Sequence, residues 1–295
     1  MPIPQLPEMC EVALDNREEL SAALAAYGPD TSDLNFTNLH IWKSKYGFRV
    51  AKAGEAICLF ALRPDPEDSF ILPPLAGNVE TVRQCLGILE DLGHDPKLAH
   101  ASRADLDRCG VTDTDFEIAE DRDNSDYVYS VRDLIELSGN RYHSKKNHIA
   151  QFMSKHDFEY RRLTPDLVPE CLELQDRWCD EKHCDLVASL LAEHAAIREV
   201  LGNMATLGVI GGAILIDGRV EAFTIGELLN PETLVIHIEK ANGNFHGLYQ
   251  AINQQFLEHS GPTPPSSTAS RTSAFRACGR RRSRTVPCEW WTSTW

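Results

Sequence analysis

Glu239 and Lys240 stand side by side at the end of an apolar, β-branched run, Thr233–Glu239, and the loop Ala-Asn-Gly-Asn-Phe-His-Gly247 follows them. A carboxylate there could take a proton from an attacking amine or hydroxyl, or hold an ammonium group. The plainer reading is a surface ion pair with Lys240. Beyond the loop, Tyr249 and Asn253 lie one helical turn apart, so both could orient a substrate by hydrogen bonds, or only pack and cap. Glu239, Tyr249 and Asn253 are therefore the catalytic candidates. A strand feeding a glycine-containing loop and then a helix can also offer backbone N–H groups to an anion. The stretch carries no GxGxxG and no P-loop, and no Cys or Ser nucleophile triad can be read in the chain.

A second group of candidates is basic. Arg141, His143, Lys145, Lys146 and His148 fall within eight residues, and Lys155, His156, Arg161 and Arg162 follow. On a helix Arg141, Lys145 and His148 share one face. With Lys240, the first five read as a phosphate clamp for a cofactor or RNA; the alternative is a solvated connector helix balancing an acidic protein. Tyr127 and Tyr129 alternate with Val128, so one strand face could line a pocket or the core. Trp178, Glu181 and Asp185 could line an acceptor pocket, or mark a helix end.

These groups need elements to hold them. Phe223–Leu229 and Thr233–Glu239 read as strands split by the turn Asn230-Pro231-Glu232, and a helix carries Leu248, Ile252 and Phe256. Leu207–Ile216 and Arg219–Leu229 form a hairpin across Asp217-Gly218. Phe158–Leu163 is a strand, and helices run from Pro165 through Trp178 and over Leu186–Gly202. Upstream, Phe48–Ala53 and Ala56–Leu62 form a hairpin across Gly54-Glu55, and Ser69–Leu72 is a strand. Val79–Leu92, Ala101–Cys109 and Val131–Leu137 are helices, and Thr114–Ile118 is short and extended. The mixture predicts an α/β or α+β fold of two similar units. The boundaries are a lead-in helix over 1–28, a first unit over 29–150 ending in the basic helix, a second over 151–259, and a tail over 260–295.

Composition narrows the classes. The chain has 295 residues and a formal charge of −15. The tail holds six Arg against Glu289 alone, which leaves 23 basic and 43 acidic groups in the body. So acidic a body repels nucleic acid and anionic membrane except at a local basic patch. No apolar run reaches the roughly 20 residues of a membrane span. The start, MPIPQLPEMCEVALDNREEL, lacks a basic and then apolar leader, so the expected location is cytoplasmic. Nine Cys are scattered with no CxxC. Cys179, His183 and Cys184 fit no common zinc pattern, so no metal is assigned and the thiols are read as reduced.

After His259 the apolar periodicity stops, and Ser, Thr, Arg and Pro dominate. Suitable codons for Ser260 to Arg276, read one base out of register, give EWADAPFINREQDLGIP, which looks like structured protein. The tail is therefore read as out of frame and disordered, and the second unit as incomplete.

Asp126-Tyr-Val-Tyr-Ser130 through His148 resembles a signature of the phosphatidylglycerol lysyltransferase C-terminal domain family, DUF2156. Ile238-Glu-Lys-Ala-Asn242 with Gly247-Leu-Tyr-Gln-Ala-Ile-Asn253 resembles a second, and the restored FINREQDLGIPGLRKAKESYRP a third. Asn35–Trp42 and Leu72–Gly77 are similar in style. The resemblance implies tandem GNAT-like (acyl-CoA N-acyltransferase) domains, with mixed central sheets flanked by helices. It implies a transferase moving an aminoacyl group from charged tRNA, or an acyl group from coenzyme A; the chain departs from the family's membrane members in lacking a membrane-spanning run, so a soluble form is expected. These donors would be co-substrates, with no tightly bound cofactor. The tRNA would meet the basic patch, and the acceptor would be a small molecule or lipid headgroup. The alternative is a non-catalytic ligand-binding or regulatory protein of the same fold.

Overall fold

The computed structural model describes residues 2–260 and 274–277. Strand β1 (Cys10–Glu11) leads into helix α1 (Arg17–Tyr27), followed by α2 (Phe36–Ile41) and α3 (Lys43–Tyr46). Strands β2 (Phe48–Ala53), β3 (Ala56–Ala61) and β4 (Phe70–Ile71) come next, then helices α4 (Val79–Asp91) and α5 (Arg103–Cys109). Strand β5 (Tyr127–Ser130) runs into α6 (Val131–Glu136), and α7 (His143–Lys155) precedes β6 (Phe158–Arg162). Helices α8 (Val168–Lys182), α9 (Ala188–Gly202) and α10 (Met204–Leu207) follow. The chain continues with β7 (Ile210–Ile216), β8 (Arg219–Asn230), β9 (Thr233–Ala241), α11 (Leu248–Ser260) and β10 (Ala274–Ala277).

The strands form two sheets, ordered β1-β2-β3-β4 and β5-β10-β9-β8-β7-β6. This is the mixed α/β architecture, sheets flanked by helices, that the resemblance implied. β5 lies before residue 150 but belongs to the second sheet, where β10 pairs antiparallel with it and parallel with β9. β10 falls in the stretch read as an out-of-frame tail; the rest of that stretch lies outside the described residues. The local chemistry is ordinary. Asp217 and Gly218 both take positive φ (50° and 76°), as a two-residue hairpin turn requires. Asn78 caps α4 by accepting from the N–H groups of Glu80 and Thr81. No helix among the described residues is long and apolar enough to cross a membrane.

One core spans both sheets. Val50 and Leu59 of the first share it with Phe223, Ile225 and Ile238 of the second and with Ile197 and Val200 of α9. Helices α8 and α9 thus cover one face of the second sheet. The other face packs on α7 and α11, through Phe152, Ile214, Ala222, Ala241, Ala251 and Ile252. Removing that apolar area from water is what holds the helices down.

The pairing of β8 with β9 contains an irregularity that decides where side chains point. Ile225 pairs with Ile238 and Gly226 with Ile236, leaving His237 as an extra residue. Leu234 and Ile236 pack with Phe256 and Leu257 of α11, whereas Ile238 packs in the core beneath α9. Ala241 is back on the α11 side. The bulge resets the alternation of the strand.

Three expectations change. Thr114–Ile118 is a turn and irregular chain, not a strand; its alternating residues have no neighbouring strand to pair with. Leu207 ends α10, and β7 starts at Ile210. Cys179 and Cys184 are joined as a disulfide, because the end of α8 folds back through His183 in the left-handed conformation (φ 51°) and brings the two Cα atoms within 5.1 Å.

Candidate functional site

Glu239 sits one residue past the bulge pair, on the face of β9 that meets α7 and α11. Asn253 of α11 donates from Nδ2 to Glu239 Oε2 at 2.9 Å. The two border a small pocket of about 20 Å³, which Lys145 and Gln250 also line. Leu134, Leu137 and Ile149 form its apolar wall. Ser130 fixes that wall by capping α6, its Oγ accepting from the Asp133 N–H at 3.3 Å.

Apolar walls make charge expensive. Burial pushes the Glu239 carboxyl up to about 7, against the opposing effects of the Asn253 hydrogen bond and the Lys145 charge. Burial also lowers Lys145, with the Glu239 charge opposing. Lys145 Nζ lies 5.3 Å from the centre of the Tyr129 ring. A carboxyl near neutrality, held by one amide and faced by one ammonium, can accept a proton and give it back.

α7 is held to this site by a close approach. Gly247 has φ +88°, and a Cβ there would stand 2.2 Å from the His148 carbonyl oxygen. Only glycine allows both that backbone and that contact. The same approach sets the His148 ring edge-on to His246 at 4.5 Å. Burial, then the His246 charge, lowers the His148 pKa.

The structure brings together three of the sequence candidates, Glu239, Asn253 and Lys145. The others lie elsewhere. Lys240 points to the opposite face of β9, with Nζ 3.1 Å from Glu193 Oε1 and 3.4 Å from the Trp178 ring centre. Adjacent residues on a strand face opposite ways, so it cannot join Glu239. Tyr249 packs against the Phe152 cluster. Arg141 pairs with Asp133, His143 meets the Asn147 amide at 3.2 Å, and Lys146 is exposed. Trp178 is taken up by Lys240, and Glu181 and Asp185 are exposed. Tyr127 and Tyr129 are half-buried on β5. Gln250 and the three apolar wall residues were missed. Gln250 could have been found, since it lies three residues before Asn253 on the same helix face.

A family profile described as phosphatidylglycerol lysyltransferase, C-terminal, matches residues 24–263. The chain belongs to this family. The match covers both sheets' main strands and every residue of the Glu239 pocket. Among solved structures, this lysyltransferase-family chain is similar to a conserved protein of unknown function from Bacteroides thetaiotaomicron. Identity is 27% and the TM-score 0.77, over 91% of this chain and 88% of that one. It is also similar to the C-terminal domain (DUF2156) of a putative lysylphosphatidylglycerol synthetase from Agrobacterium fabrum. There the identity is 11% and the TM-score 0.60, over 90% and 78% of the two chains. L-PGS from Bacillus licheniformis is similar at 12% identity and a TM-score of 0.55, over 94% and 80%. The last two likenesses are of fold alone. A comparison with curated proteins gives no match.

A prediction arises from the pocket charges. Lys145→Met removes the positive charge that opposes the rise of Glu239, so the Glu239 pKa should climb further. The rising limb of a rate–pH profile should move to higher pH, leaving less activity at neutrality. An unmoved limb would show that Lys145 does not act on Glu239.

Proposed function

We propose that this chain moves an aminoacyl group from charged tRNA, or an acyl group from a coenzyme A thioester, to an amine or hydroxyl acceptor seated at Glu239. The observation that carries the reading is the Glu239 carboxyl, pushed up to about 7 in an apolar-walled pocket shared with Lys145 and Asn253. The family's name, a lysyltransferase acting on phosphatidylglycerol, favours the aminoacyl donor and a headgroup hydroxyl as acceptor.

In this reading the acceptor's lone pair bonds to the donor carbonyl carbon, and its proton passes to Glu239. The tetrahedral intermediate collapses by breaking the ester C–O or thioester C–S bond. The proton then returns from Glu239 to the leaving oxygen or sulfur. Asn253 keeps the carboxylate aimed, and Lys145 offers positive charge to the oxygen on which charge develops. The donor is already activated, so positioning counts for more than base strength. In this reading exposed Lys146, with Arg141 and His143 once released from Asp133 and Asn147, would meet donor phosphates. The stretch after His259 is read as out of frame.

Binding of charged tRNA and of acetyl-coenzyme A, each across a salt series, tests the reading. The measurement is made on the chain as given and with the frame restored. Tight tRNA binding with a steep salt slope supports aminoacyl transfer, and Lys146→Ala should then weaken it and reduce the slope by about one. Thioester binding alone would make it an acyl transfer. Binding of neither donor in either frame would overturn the proposal in favour of a non-catalytic ligand-binding protein.

A further inference from the structure

A second cavity of about 140 Å³ lies between α1, the start of α2 and β8. Its walls carry charge of both signs, Arg17 from α1 and Glu227 from β8. Arg17 donates from Nη2 to the Leu207 carbonyl at 3.0 Å. Its Nε is buried and meets no hydrogen-bond partner among the described residues. On the opposite wall, His237 Nε2 donates to Glu227 Oε1 at 2.9 Å, and Thr37 and Asn35 also hydrogen-bond the carboxylate. Burial would push Glu227 up, but these donors outweigh it and hold the carboxyl below its ordinary range. The His237 hydrogen bond and charge lower it most, and Thr37 and Asn35 add to that through further hydrogen bonds.

A carboxylate on the β8 wall and a guanidinium on the α1 wall, around a space of about 140 Å³, match a small molecule that carries both charges. We propose that this cavity binds a free α-amino acid, its carboxylate on Arg17 and its ammonium on Glu227. The site is separate from the Glu239 pocket. Glu227 pairs with Val235, four residues short of Glu239, or about 13 Å at 3.3 Å per residue. It opens toward α1 and α2, whereas Glu239 faces α7 and α11. A ligand held there would bridge α1 of the first half to β8 of the second, and would stabilise the folded chain by mass action.

Titration calorimetry and thermal melts on the full chain test this with glycine, L-alanine, L-lysine and L-glutamate as probes. At least one should bind saturably and raise Tm. For L-lysine or L-alanine, the carboxamide and N-acetyl forms each lack one charge, and should bind at least about tenfold more weakly. Glu227→Gln and Arg17→Gln should each weaken binding about tenfold, while Glu239→Gln should leave it intact. Arg17 also holds the Leu207 carbonyl, so if Arg17→Gln fails to fold, the carboxamide comparison on the parent chain decides the carboxylate half. Three results would overturn the proposal: no saturable binding of any of the four probes, equal binding of the charge-deleted forms, or binding lost with Glu239→Gln and kept with Glu227→Gln. The last would place the amino acid in the transferase pocket, so a failure here is told apart from a failure of the transfer reading.

Discussion

Glu239→Gln is expected to cut the transfer rate by about 10²- to 10⁴-fold, the usual worth of a positioned general base, while making the protein more stable at neutral pH and above. The two effects share one cause. The Glu239 carboxyl ordinarily ionises near 4.5 and in the folded chain at about 7. The folded state therefore holds its proton more tightly than the unfolded one. That stability is fully present below about 4.5 and is lost as pH rises through about 7, reaching a cost of roughly 3 kcal/mol. Glutamine keeps the shape and the Asn253 contact without ever paying that cost. Melts of parent and variant should coincide at acid pH and separate with the variant higher as pH rises, while single-turnover rates fall. A variant with full rate would remove Glu239 from the chemistry. Donor binding without turnover in the parent, weakened in the variant, would point to the ligand-binding alternative.

Gly247→Ala should be the most damaging small change near the site. The new Cβ meets the His148 carbonyl oxygen at 2.2 Å, and the backbone stays at φ +88°. Strain of that kind costs about 1–3 kcal/mol, and forcing α7 away from the loop adds about 1–3 more. Urea unfolding should report a loss of roughly 2–6 kcal/mol. Because α7 carries Lys145, whatever survives should also show the upward-shifted rate profile of Lys145→Met. Gly243→Ala in the same loop is the control. Gly243 has ordinary φ and nothing within 4 Å of a Cβ, so its change should stay within about 0.5 kcal/mol. Equal effects at the two glycines would mean that the close approach to His148 does not hold the helix.

Much of the second half was legible in the sequence because its signals are local. Asp217-Gly218 marks a hairpin without reference to anything distant, and the alternating runs on either side give β7 and β8. The pair Glu239 and Asn253 was also legible, from a strand end and the helix that follows it. Lys145 was singled out as one of a basic run; nothing in that run says that it alone turns inward, because that depends on the contact of α7 with Gly247, a hundred residues later. The apolar wall from α6 was invisible for the same reason. The pairing of Glu239 with Lys240 was a reading error of another sort, since neighbours on a strand face opposite ways. The bulge at His237 has no signature in its own residues. It is visible only as pairing between β8 and β9.

That bulge bears on how relatives should be compared. On a strand the side of the sheet is a matter of odd and even, and His237 is the point where this chain switches parity. A relative without the extra residue would need its carboxylate one place earlier to face the same pocket. Column-by-column matching would then set a working carboxylate beside an inward-facing apolar residue, and could count two equivalent sites as different. Loss of His237 itself would remove the bulge and keep Glu239 and Lys240 on their present faces, whereas one residue gained or lost with the bulge kept would exchange them. Length in β9 is thus tied to the bulge: a one-residue change keeps the site only where it adds or removes the bulge itself.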